Sequence, residues 1–569
     1  MIFGLDTETN KNYNQKGSTR CIQVYSPVKN HVVVYHRTDE MTESSNIWNI
    51  AIWTPDEKVI RLESVESTDK IMAFLSSHSF ITHSGGFESW VLYRDFNVKL
   101  KLAGDSYLAG IIAPTPPNQL NNLDALGKVF IGPEYNKFAT GSWEDYDWSK
   151  SLPDDAIRYA ARDAWGCYLI EAALKIQYIK YLIPAYDLEL ELTPIIGRMK
   201  ALGLRVEKKL FPGRVKLLQD QYKQALASFH IFAGQKINPN SHKEVAAWLF
   251  GYLGIEPEVL TKTGKPSVSK DTLQNISHPA IFELFKIREI GEVLKGVKNL
   301  LDSDHEEDSD FLIFHPDYST VSWNQDSMIK TKSPAAASWP LKFREIVKPS
   351  TGKQFYCFDI KALDWAVLVF YAQEKELIKQ YLSGVDVCQA FAGELSMTGG
   401  EEKAVVSGIL NGFGEVTVAQ KSGASIFKSA ALVKFYLEKF PGIKALQDMI
   451  ISHLQMTGFA LSPLGRKKVV SPYGKKGKTR PADERTALNY YGQTGGADYL
   501  KKIIIRLESS LPSDCELCFT GSDTVLIEVP ETAQKDQLDQ LVSKVLTFDN
   551  GIKFLFHSEL CKTWGEFKK

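Results

Sequence analysis

The stretch Gln354-Phe-Tyr-Cys-Phe-Asp359-Ile-Lys-Ala-Leu-Asp364-Trp-Ala begins as a run of apolar and aromatic residues and then reaches an aspartate. A second aspartate, Asp523, lies in a Gly-Ser-Asp-Thr turn between two strand-like runs, which predicts a hairpin with the acid at or near its tip. A carboxylate at the end of a buried strand is costly unless something pairs with it. Two such acids brought together by a sheet predict a site for divalent cations, as in two-metal phosphoryl transfer. The alternative is that each aspartate merely ends a strand.

Composition limits the class of protein. The chain has 569 residues, of which 44% are hydrophobic and 24% are charged, as expected for a globular protein of several domains. No segment reaches the uncharged apolar length of a membrane span, and the N-terminus lacks the basic region of a signal peptide, so we expect a cytoplasmic location. The net charge of −1 does not indicate a nucleic-acid binder. The basic, Gly/Pro-broken segment 465–480, however, is suited to phosphate contacts.

The pattern of residues changes along the chain. Residues 1–185 begin with strand-like runs and end in a helical pattern, whereas residues 186–340 are rich in helical periodicity. The acidic patch 302–310 is predicted to be an exposed loop. Further on, the strand with Asp359 precedes helices that extend to about residue 457, and a helix over 482–509 precedes the Asp523 hairpin. The order of elements indicates an α/β protein.

The N-terminal part carries a second group of carboxylates. Asp6 and Glu8 end a strand and share a face, because strand side chains alternate. Glu88 follows a strand and a glycine turn, and Tyr159 and Asp163 lie one helical turn apart on one face. Acids from a strand and two helices could hold two cations that clamp a scissile phosphate, and Tyr159 could orient the attacking water.

This ordered set resembles the DEDDy 3′-5′ exonuclease domain of proofreading DNA polymerases. Asp6 and Glu8 match the first motif of that domain, and Tyr159 with Asp163 matches the third. In the second motif Glu88 stands where the family has Asp, and glutamate is also a competent ligand for hard cations. The family Asn of that motif is Ser84 here. The resemblance implies a ribonuclease-H-like fold, binding of a single-stranded DNA 3′ end, and exonuclease activity that the altered motif can reduce. The alternative is a decayed exonuclease fold that serves as a scaffold.

The second half, from about residue 190 to the end, resembles family A DNA polymerases, the family of bacterial DNA polymerase I. Asp359 and Asp523 match the two metal-binding aspartates of that family, and Lys403 matches the lysine that binds the incoming triphosphate and protonates pyrophosphate. The resemblance implies that the nucleotide site is lined by Lys403, Ser407, Asn411, Asp364 and Ile360.

Several positions of this site depart from the family pattern. Ser407 and Asn411 stand where the family has an aromatic residue and a tyrosine, and Asp364 stands where it has a glutamate that crowds the sugar 2′ position. Because Asp364 and Asn411 are shorter than the family residues, we expect altered nucleotide selection. This means either weaker rejection of ribonucleotides or accommodation of a modified base.

A further set of positions predicts DNA contacts. Arg485, Asn489 and Gln493 are spaced by four residues, so they share one helical face. The family uses the same triplet to contact primer-template in the minor groove, where nearly degenerate acceptors allow a test of base-pair shape without sequence reading. Arg466 and Lys467 also follow the family order, and the resemblance implies that they bind DNA.

We therefore expect an exonuclease domain at 1–185, a thumb at 186–340, a palm at 341–385 and 456–569, and fingers at 386–455. The implied function is template-directed DNA synthesis from dNTPs on primer-template, with proofreading. Two Mg²⁺ ions per active site are expected, with Mn²⁺ as a possible substitute. A monomer is expected, and the compact length suggests a phage replicase. The alternatives are an exonuclease whose polymerase domain only binds primer-template, a non-catalytic nucleic-acid-binding scaffold, and a relative that copies or makes RNA.

Overall fold

The computed structural model of the protein describes residues 1–10, 18–38, 46–112, 122–137, 143, 145–177, 183–257, 264–269, 273, 276, 278–301, 306–308, 310–322, 327–332, 335–339, 341–384, 408–409, 412, 414–422, 425–470 and 479–568. Within these ranges the fold is α/β, as the sequence predicts. No helix in them is both long enough and apolar enough to cross a bilayer.

The N-terminal part is built on a mixed sheet with the strand order β5-β4-β3-β2-β1-β6-β7. Its strands are β1 (Ile2–Thr9), β2 (Thr19–Ser26), β3 (His31–His36), β4 (Ile47–Trp53), β5 (Val59–Ser67), β6 (Ser79–Thr82) and β7 (Lys101–Asp105). Its helices are α1 (Thr68–Ser77), α2 (Gly86–Phe96), α3 (Ser106–Ile112), α4 (Leu123–Phe130) and α5 (Asp154–Gln177). Strand β6 pairs in parallel with β1 and β7, while β1 to β5 form antiparallel pairs.

Helix α5 lies directly on strand β1. A Cβ atom added at Gly4 would come within 2.1 Å of the Ala164 carbonyl oxygen, so only glycine allows this approach. The close packing brings the carboxylate of Asp163 on α5 to the end of β1, where Asp6 and Glu8 lie.

Helix α6 (Ile183–Leu202) connects the N-terminal part to the rest of the chain and packs against both. An added Cβ at Gly197 would lie 2.6 Å from the Ser89 Cβ on α2, which shows how closely these two helices approach. On its other side, α6 buries Leu192 and Ile195 in the hydrophobic core of the C-terminal part. The two parts are therefore joined by a packed helix.

The middle of the chain contains a helical layer and a small sheet. Its elements are β8 (Leu204–Glu207), α7 (Phe211–Ala233), α8 (His242–Ala246) with a π-helical turn at Ala247–Tyr252, α9 (Pro279–Leu301), β9 (Glu306–Glu307), β10 (Phe311–Phe314), β11 (Asp317–Ser319) and β12 (Lys330–Lys332). The small sheet has the order β13-β8-β10-β9, where β13 is Val347–Lys348. The loop prediction for 302–310 is wrong at Glu306–Glu307, because the apolar strand β10 recruits these two acids as an edge partner.

The C-terminal part is organised around an antiparallel sheet with the order β17-β18-β14-β19. After the short helix α10 (Leu341–Arg344), its elements are β14 (Lys353–Ile360), α11 (Leu363–Tyr371), α12 (Lys375–Leu382), α13 (Glu415–Ser422), α14 (Ile426–Lys439), α15 (Pro441–Thr457), β15 (Phe459–Leu461), β16 (Lys467–Val469), α16 (Pro481–Ser510), β17 (Glu516–Thr520), β18 (Thr524–Pro530), α17 (Lys535–Val545) and β19 (Phe556–Cys561). The predicted hairpin around Asp523 and the predicted long helix before it are both confirmed.

Strand β14 is buried on both faces, which explains its unbroken apolar sequence. Tyr356 and Phe358 pack into the core beneath the helices, whereas Phe355 and Cys357 pack into a second core on the opposite face. Such a strand reads as a continuous hydrophobic run instead of an alternating one. Asp359 is its first acid and lies only half-buried at the end of the sheet.

Candidate active sites

The C-terminal acid pair, Asp359 and Asp523, lies at the ends of two neighbouring strands. Asp359 on β14 is in register with Thr524, the first residue of β18, and the Ile360 N–H donates to the Asp523 carbonyl oxygen at 2.9 Å. The Thr524 hydroxyl donates to Asp359 Oδ1 at 2.7 Å and lies 3.4 Å from Asp523 Oδ1. One hydroxyl thus reaches both carboxylates, so the structure brings these two predicted residues together.

Two neighbours of the acid pair, Thr524 and His557, are not among the site residues predicted from the sequence. Thr524 is recognisable there only as a departure from the family pattern, since it directly follows Asp523 where the family has glutamate. His557 on β19 is in register with Asp359, so Thr524, Asp359 and His557 form one row across three strands. The His557 Nε2 atom lies 3.1 Å from Glu559 Oε1. No sequence motif marks His557, because its role as a neighbour follows only from strand pairing.

Asp364 lies near the same acids, in the first turn of α11. The residue is exposed as a whole, but desolvation of its carboxylate by nearby protein atoms, followed by the charge of Asp523, raises the pKa of Asp364 to about 7. An added Cβ at Gly496 of α16 would lie 2.1 Å from Asp364 Oδ1. Glycine at 496 therefore makes the space that this carboxylate occupies. Ile360, predicted to line the nucleotide site, is almost fully buried as a whole residue and donates its N–H to Asp523, so the structure gives it no exposed atom for a nucleotide contact.

Helix α16 presents the predicted DNA-contacting triplet on its outer face. Arg485 and Asn489 are half-buried and Gln493 is exposed, whereas the residues between them are mostly buried. The opposite face packs closely on α11. An added Cβ atom would lie 3.1 Å from a side chain of α11 at Gly492 and 2.8 Å from one at Gly495. The triplet therefore lines the surface of a helix whose position relative to the acid pair is fixed by packing.

Arg466, predicted to bind DNA, does not lie at the surface of the protein. It is fully buried, with Nη2 at 2.6 Å from Glu189 Oε1 and Nε at 2.9 Å from Asp498 Oδ1. Lys501, also fully buried, pairs with the same Glu189. A guanidinium enclosed in this way cannot reach DNA phosphates, so the assignment of Arg466 to DNA binding is wrong. Its neighbour Lys467 is exposed.

Three predicted nucleotide-site residues, Lys403, Ser407 and Asn411, lie outside the described residues. Gly408, Ile409 and Gly412 are described residues close to them in sequence. The Ile409 carbonyl oxygen accepts a hydrogen bond from Gln447 Nε2 at 2.8 Å, which ties Ile409 to α15.

The N-terminal acid cluster consists of Asp6, Glu8, Glu88 and Asp163. One carboxylate oxygen from each of Asp6, Glu8 and Asp163 lies within 4.8 Å of the others, a spacing at which they could hold a metal ion. Desolvation, followed by the charge of Asp163, raises the pKa of Asp6 well above its ordinary value. Such mutual repulsion is expected where carboxylates converge without a cation.

Glu88 completes the cluster from helix α2. The turn before that helix places Ser84 at a φ of +72°, and an added Cβ at the next residue, Gly85, would lie 2.3 Å from the Thr82 hydroxyl oxygen. Glu88 is buried, and its Oε2 atom has no hydrogen-bond partner among the described residues. Burial, and then the charge of Asp6, raises the pKa of Glu88 well above its ordinary value. A buried carboxylate near enough to Asp6 to respond to its charge is a suitable ligand for a hard cation.

Tyr159 and Asp163 share a face of α5, as predicted, and a lysine lies against both. Lys137 Nζ is 2.9 Å from Asp163 Oδ2 and 4.9 Å from the centroid of the Tyr159 ring. Burial and the charge of Asp163 raise the pKa of Tyr159. The sequence gives no sign of this role for Lys137, because a single lysine in an irregular segment carries no pattern.

Two family models match this chain. The model for DNA polymerase family A matches residues 213–566, and the model for a 3′-5′ exonuclease matches residues 2–178. The chain is 24% identical over 390 residues to DNA polymerase I of Bacillus subtilis, a match that covers 63% of this chain and 43% of the relative. It is 23% identical over 508 residues to DNA polymerase I of Rhizobium leguminosarum, which covers 84% of this chain and 49% of the relative. The chain thus spans about half the length of the curated relatives it matches.

A solved structure has the same fold. It is described as the POL domain of Pol1 from M. smegmatis in complex with DNA primer-template and dNTP, and it matches with a TM-score of 0.73 at 17% identity. The match covers 99% of this chain and 96% of that one. Since the polymerase model covers more than half of the chain, the conclusion is direct: this protein belongs to DNA polymerase family A and carries an N-terminal 3′-5′ exonuclease domain.

Proposed function

We propose that the protein is a template-directed DNA polymerase that extends a primer 3′-hydroxyl with dNTPs. The observation that carries this proposal is the hydrogen-bonded approach of Asp359 and Asp523 at adjacent strand ends. Family membership supports it, and the M. smegmatis relative is described as bound to primer-template and dNTP.

The acid pair suits a hard divalent cation such as Mg²⁺, with Mn²⁺ as a substitute, since both residues offer carboxylate oxygens. When bound between Asp359 and Asp523, two such ions would lower the barrier by stabilising the attacking and leaving oxygens of the phosphoryl transfer. The Thr524 hydroxyl holds the Asp359 carboxylate in one orientation, so the pair is organised before any cation arrives.

The remaining contacts to substrate are assigned to residues on the fingers and on α16. Lys403 stabilises negative charge on the departing pyrophosphate, an assignment that comes from its place in the motif and from the value of preorganised positive charge. The outer face of α16, with Arg485, Asn489 and Gln493, contacts the minor groove of primer-template. Lys467 adds a phosphate contact.

For the N-terminal domain we propose 3′-5′ exonuclease activity on a single-stranded DNA 3′ end. Asp6, Glu8 and Asp163 already converge, and the orphaned Glu88 oxygen points to a fourth ligand, so the residues fit divalent cations. Tyr159 orients the water that attacks the terminal phosphodiester. The domain boundaries, monomeric state, cytoplasmic location and phage origin given above stay predictions.

Nucleotide selection rests with Asp364 in this proposal. The Asp364 carboxylate lies in the space made by Gly496, and its side chain is one methylene shorter than the family glutamate. We therefore expect it to leave more room near the sugar. We expect weaker rejection of ribonucleotides or acceptance of a modified base. Single-turnover incorporation of each rNTP against its dNTP tests the first expectation, and discrimination equal to that of a standard family member would defeat it.

The decisive experiment is a primed-template gel assay with Mg²⁺ and dNTPs. The Asp6→Ala variant should extend the primer without degrading it, and adding Asp523→Asn to it should lower extension by about 10³-fold, or roughly 4 kcal/mol of transition-state stabilisation. Asp536→Asn, which changes an exposed aspartate of α17, is the matched control and should extend normally. If Asp6→Ala extends nothing while the wild type degrades single strands, the protein is instead an exonuclease whose polymerase domain only binds primer-template.

A further inference from the structure

The segment that carries Lys137 is fixed against two helices. The Tyr135 ring fills the space left by two glycines, since an added Cβ would lie 2.1 Å from that ring at Gly127 of α4 and 2.3 Å from the Tyr135 Oη atom at Gly166 of α5. The backbone N–H of Lys137 donates to Asp124 Oδ1 at 3.0 Å. The main chain of Lys137 is therefore positioned by α4 and α5 before its side chain makes any contact.

From this position the side chain enters the N-terminal acid cluster. Its ammonium is 2.9 Å from Asp163 Oδ2 and 4.9 Å from the centroid of the Tyr159 ring, and both charged side chains are largely enclosed, at 18% and 6% exposure. Two of the residues assigned to exonuclease chemistry thus share one cation. Such an ammonium is attracted both by the negative charge of the carboxylate and by the electron-rich face of the phenol ring.

A lysine here and a metal ion at the cluster compete for the same oxygens. The cluster has four carboxylates, and a divalent cation held by Asp6, Glu8 and Asp163 would meet the Lys137 ammonium as a like charge. Repulsion from the Lys137 ammonium a few ångströms away would weaken binding of the divalent cation. The ammonium also stabilises the charged form of the Asp163 carboxylate with which it pairs.

We propose that Lys137 is the internal counter-ion of the exonuclease site. It pairs with Asp163 while no metal ion is held, keeps Asp163 and Tyr159 in their shared geometry, and yields Asp163 when a divalent cation binds. Lys137 is thus a positioning residue that sets the metal affinity of the site. This inference rests on the proposed exonuclease function.

Metal affinity can be measured without nuclease activity. Free Mn²⁺ would be followed by electron paramagnetic resonance in the full chain carrying Asp359→Asn and Asp523→Asn, so that the N-terminal cluster provides the site measured. We expect Lys137→Met to bind Mn²⁺ about tenfold more tightly, the lower end of the effect of a neighbouring cation on a carboxylate. Lys137→Arg keeps the charge and should stay near the wild-type affinity. Lys70→Met, an exposed lysine of α1 paired with Glu66, is the matched control and should not change it.

The outcomes separate the two claims. Equal Mn²⁺ affinity in the wild type and in Lys137→Met overturns the counter-ion role and leaves the exonuclease proposal intact. If neither protein binds Mn²⁺ in a way that Asp6→Asn abolishes, the metal site of the proposed function fails, and the counter-ion role fails with it.

A second readout needs no variant, so it also covers the case in which Lys137→Met does not fold. Lysine acetylation mapped by mass spectrometry should label Lys137 slowly in metal-free protein, because the ammonium is paired and enclosed. Saturating Mn²⁺ should increase that labelling several-fold while the labelling of Lys70 stays constant. Labelling of Lys137 that is unchanged or slower with Mn²⁺ would overturn the proposal.

Discussion

Replacing Arg466 by methionine removes a guanidinium that is fully buried between Glu189 and Asp498. Taking away one partner of a buried ion pair costs about 3–5 kcal/mol, because the remaining charge loses its compensation without regaining water. Lys501 still pairs with Glu189, so we expect the lower end of this range, about 3 kcal/mol. Urea unfolding followed by tryptophan fluorescence would measure the loss in free energy of unfolding.

The neighbouring residue gives the matched control. Lys467 is exposed, and Lys467→Met should change the free energy of unfolding by less than about 0.5 kcal/mol while weakening DNA binding and its salt dependence. Arg466→Met that unfolded like the wild type and lost DNA affinity would contradict a structural role for the buried guanidinium. That result would restore the role expected from the sequence.

A double variant tests the pairing itself. Adding Asp498→Leu to Arg466→Met removes the carboxylate left uncompensated, so the two changes should be less destabilising together than their sum by about 1–3 kcal/mol. Strictly additive losses would show that the two side chains do not interact.

Three further predictions concern single residues. Glu88→Gln should lower single-strand degradation at least tenfold in a gel assay without lowering the urea midpoint, because it replaces a buried carboxylate whose Oε2 has no hydrogen-bond partner among the described residues; a lower midpoint with full nuclease activity would contradict this. Gly496→Ala should displace the Asp364 carboxylate and slow primer extension while circular dichroism stays unchanged, and normal extension would show that the close approach has no role. Burial lowers the pKa of His36 to about 4, so the unfolded chain takes up its proton first and stability should fall as the pH drops from about 6.5 towards 4. Between pH 7 and pH 5, the free energy of unfolding should therefore fall by about 2 kcal/mol less in His36→Gln than in the wild type. Parallel profiles of unfolding free energy against pH would show that His36 does not have the lowered pKa.

Local patterns were sufficient to predict much of the fold. The apolar run of β14, the turn at Asp523 and the helix that carries Arg485 each lie within a short window, where strand, turn and helix signals are strong. Strand alternation was sufficient to predict that Asp6 and Glu8 lie on the same face of β1.

The errors concern interactions between distant parts of the chain. Arg466 lies in a basic sequence, but its partner Glu189 is 277 residues away, and nothing in the local sequence indicates that pairing. The position of Lys137 depends on a tyrosine ring that packs against glycines of two different helices. The strand at Glu306–Glu307 forms only because β10 offers an unpaired edge, which overrides the preference of acids for loops.

The central claim is that Asp359 and Asp523 jointly hold the metal ions of nucleotide transfer. The most direct test is a structure of the protein with primer-template, a non-hydrolysable dNTP and Mg²⁺. We predict two metal ions bridging these carboxylates, the triphosphate beside Lys403, and the duplex against Arg485, Asn489 and Gln493. Nucleotide and metal ions bound away from both aspartates would contradict the account.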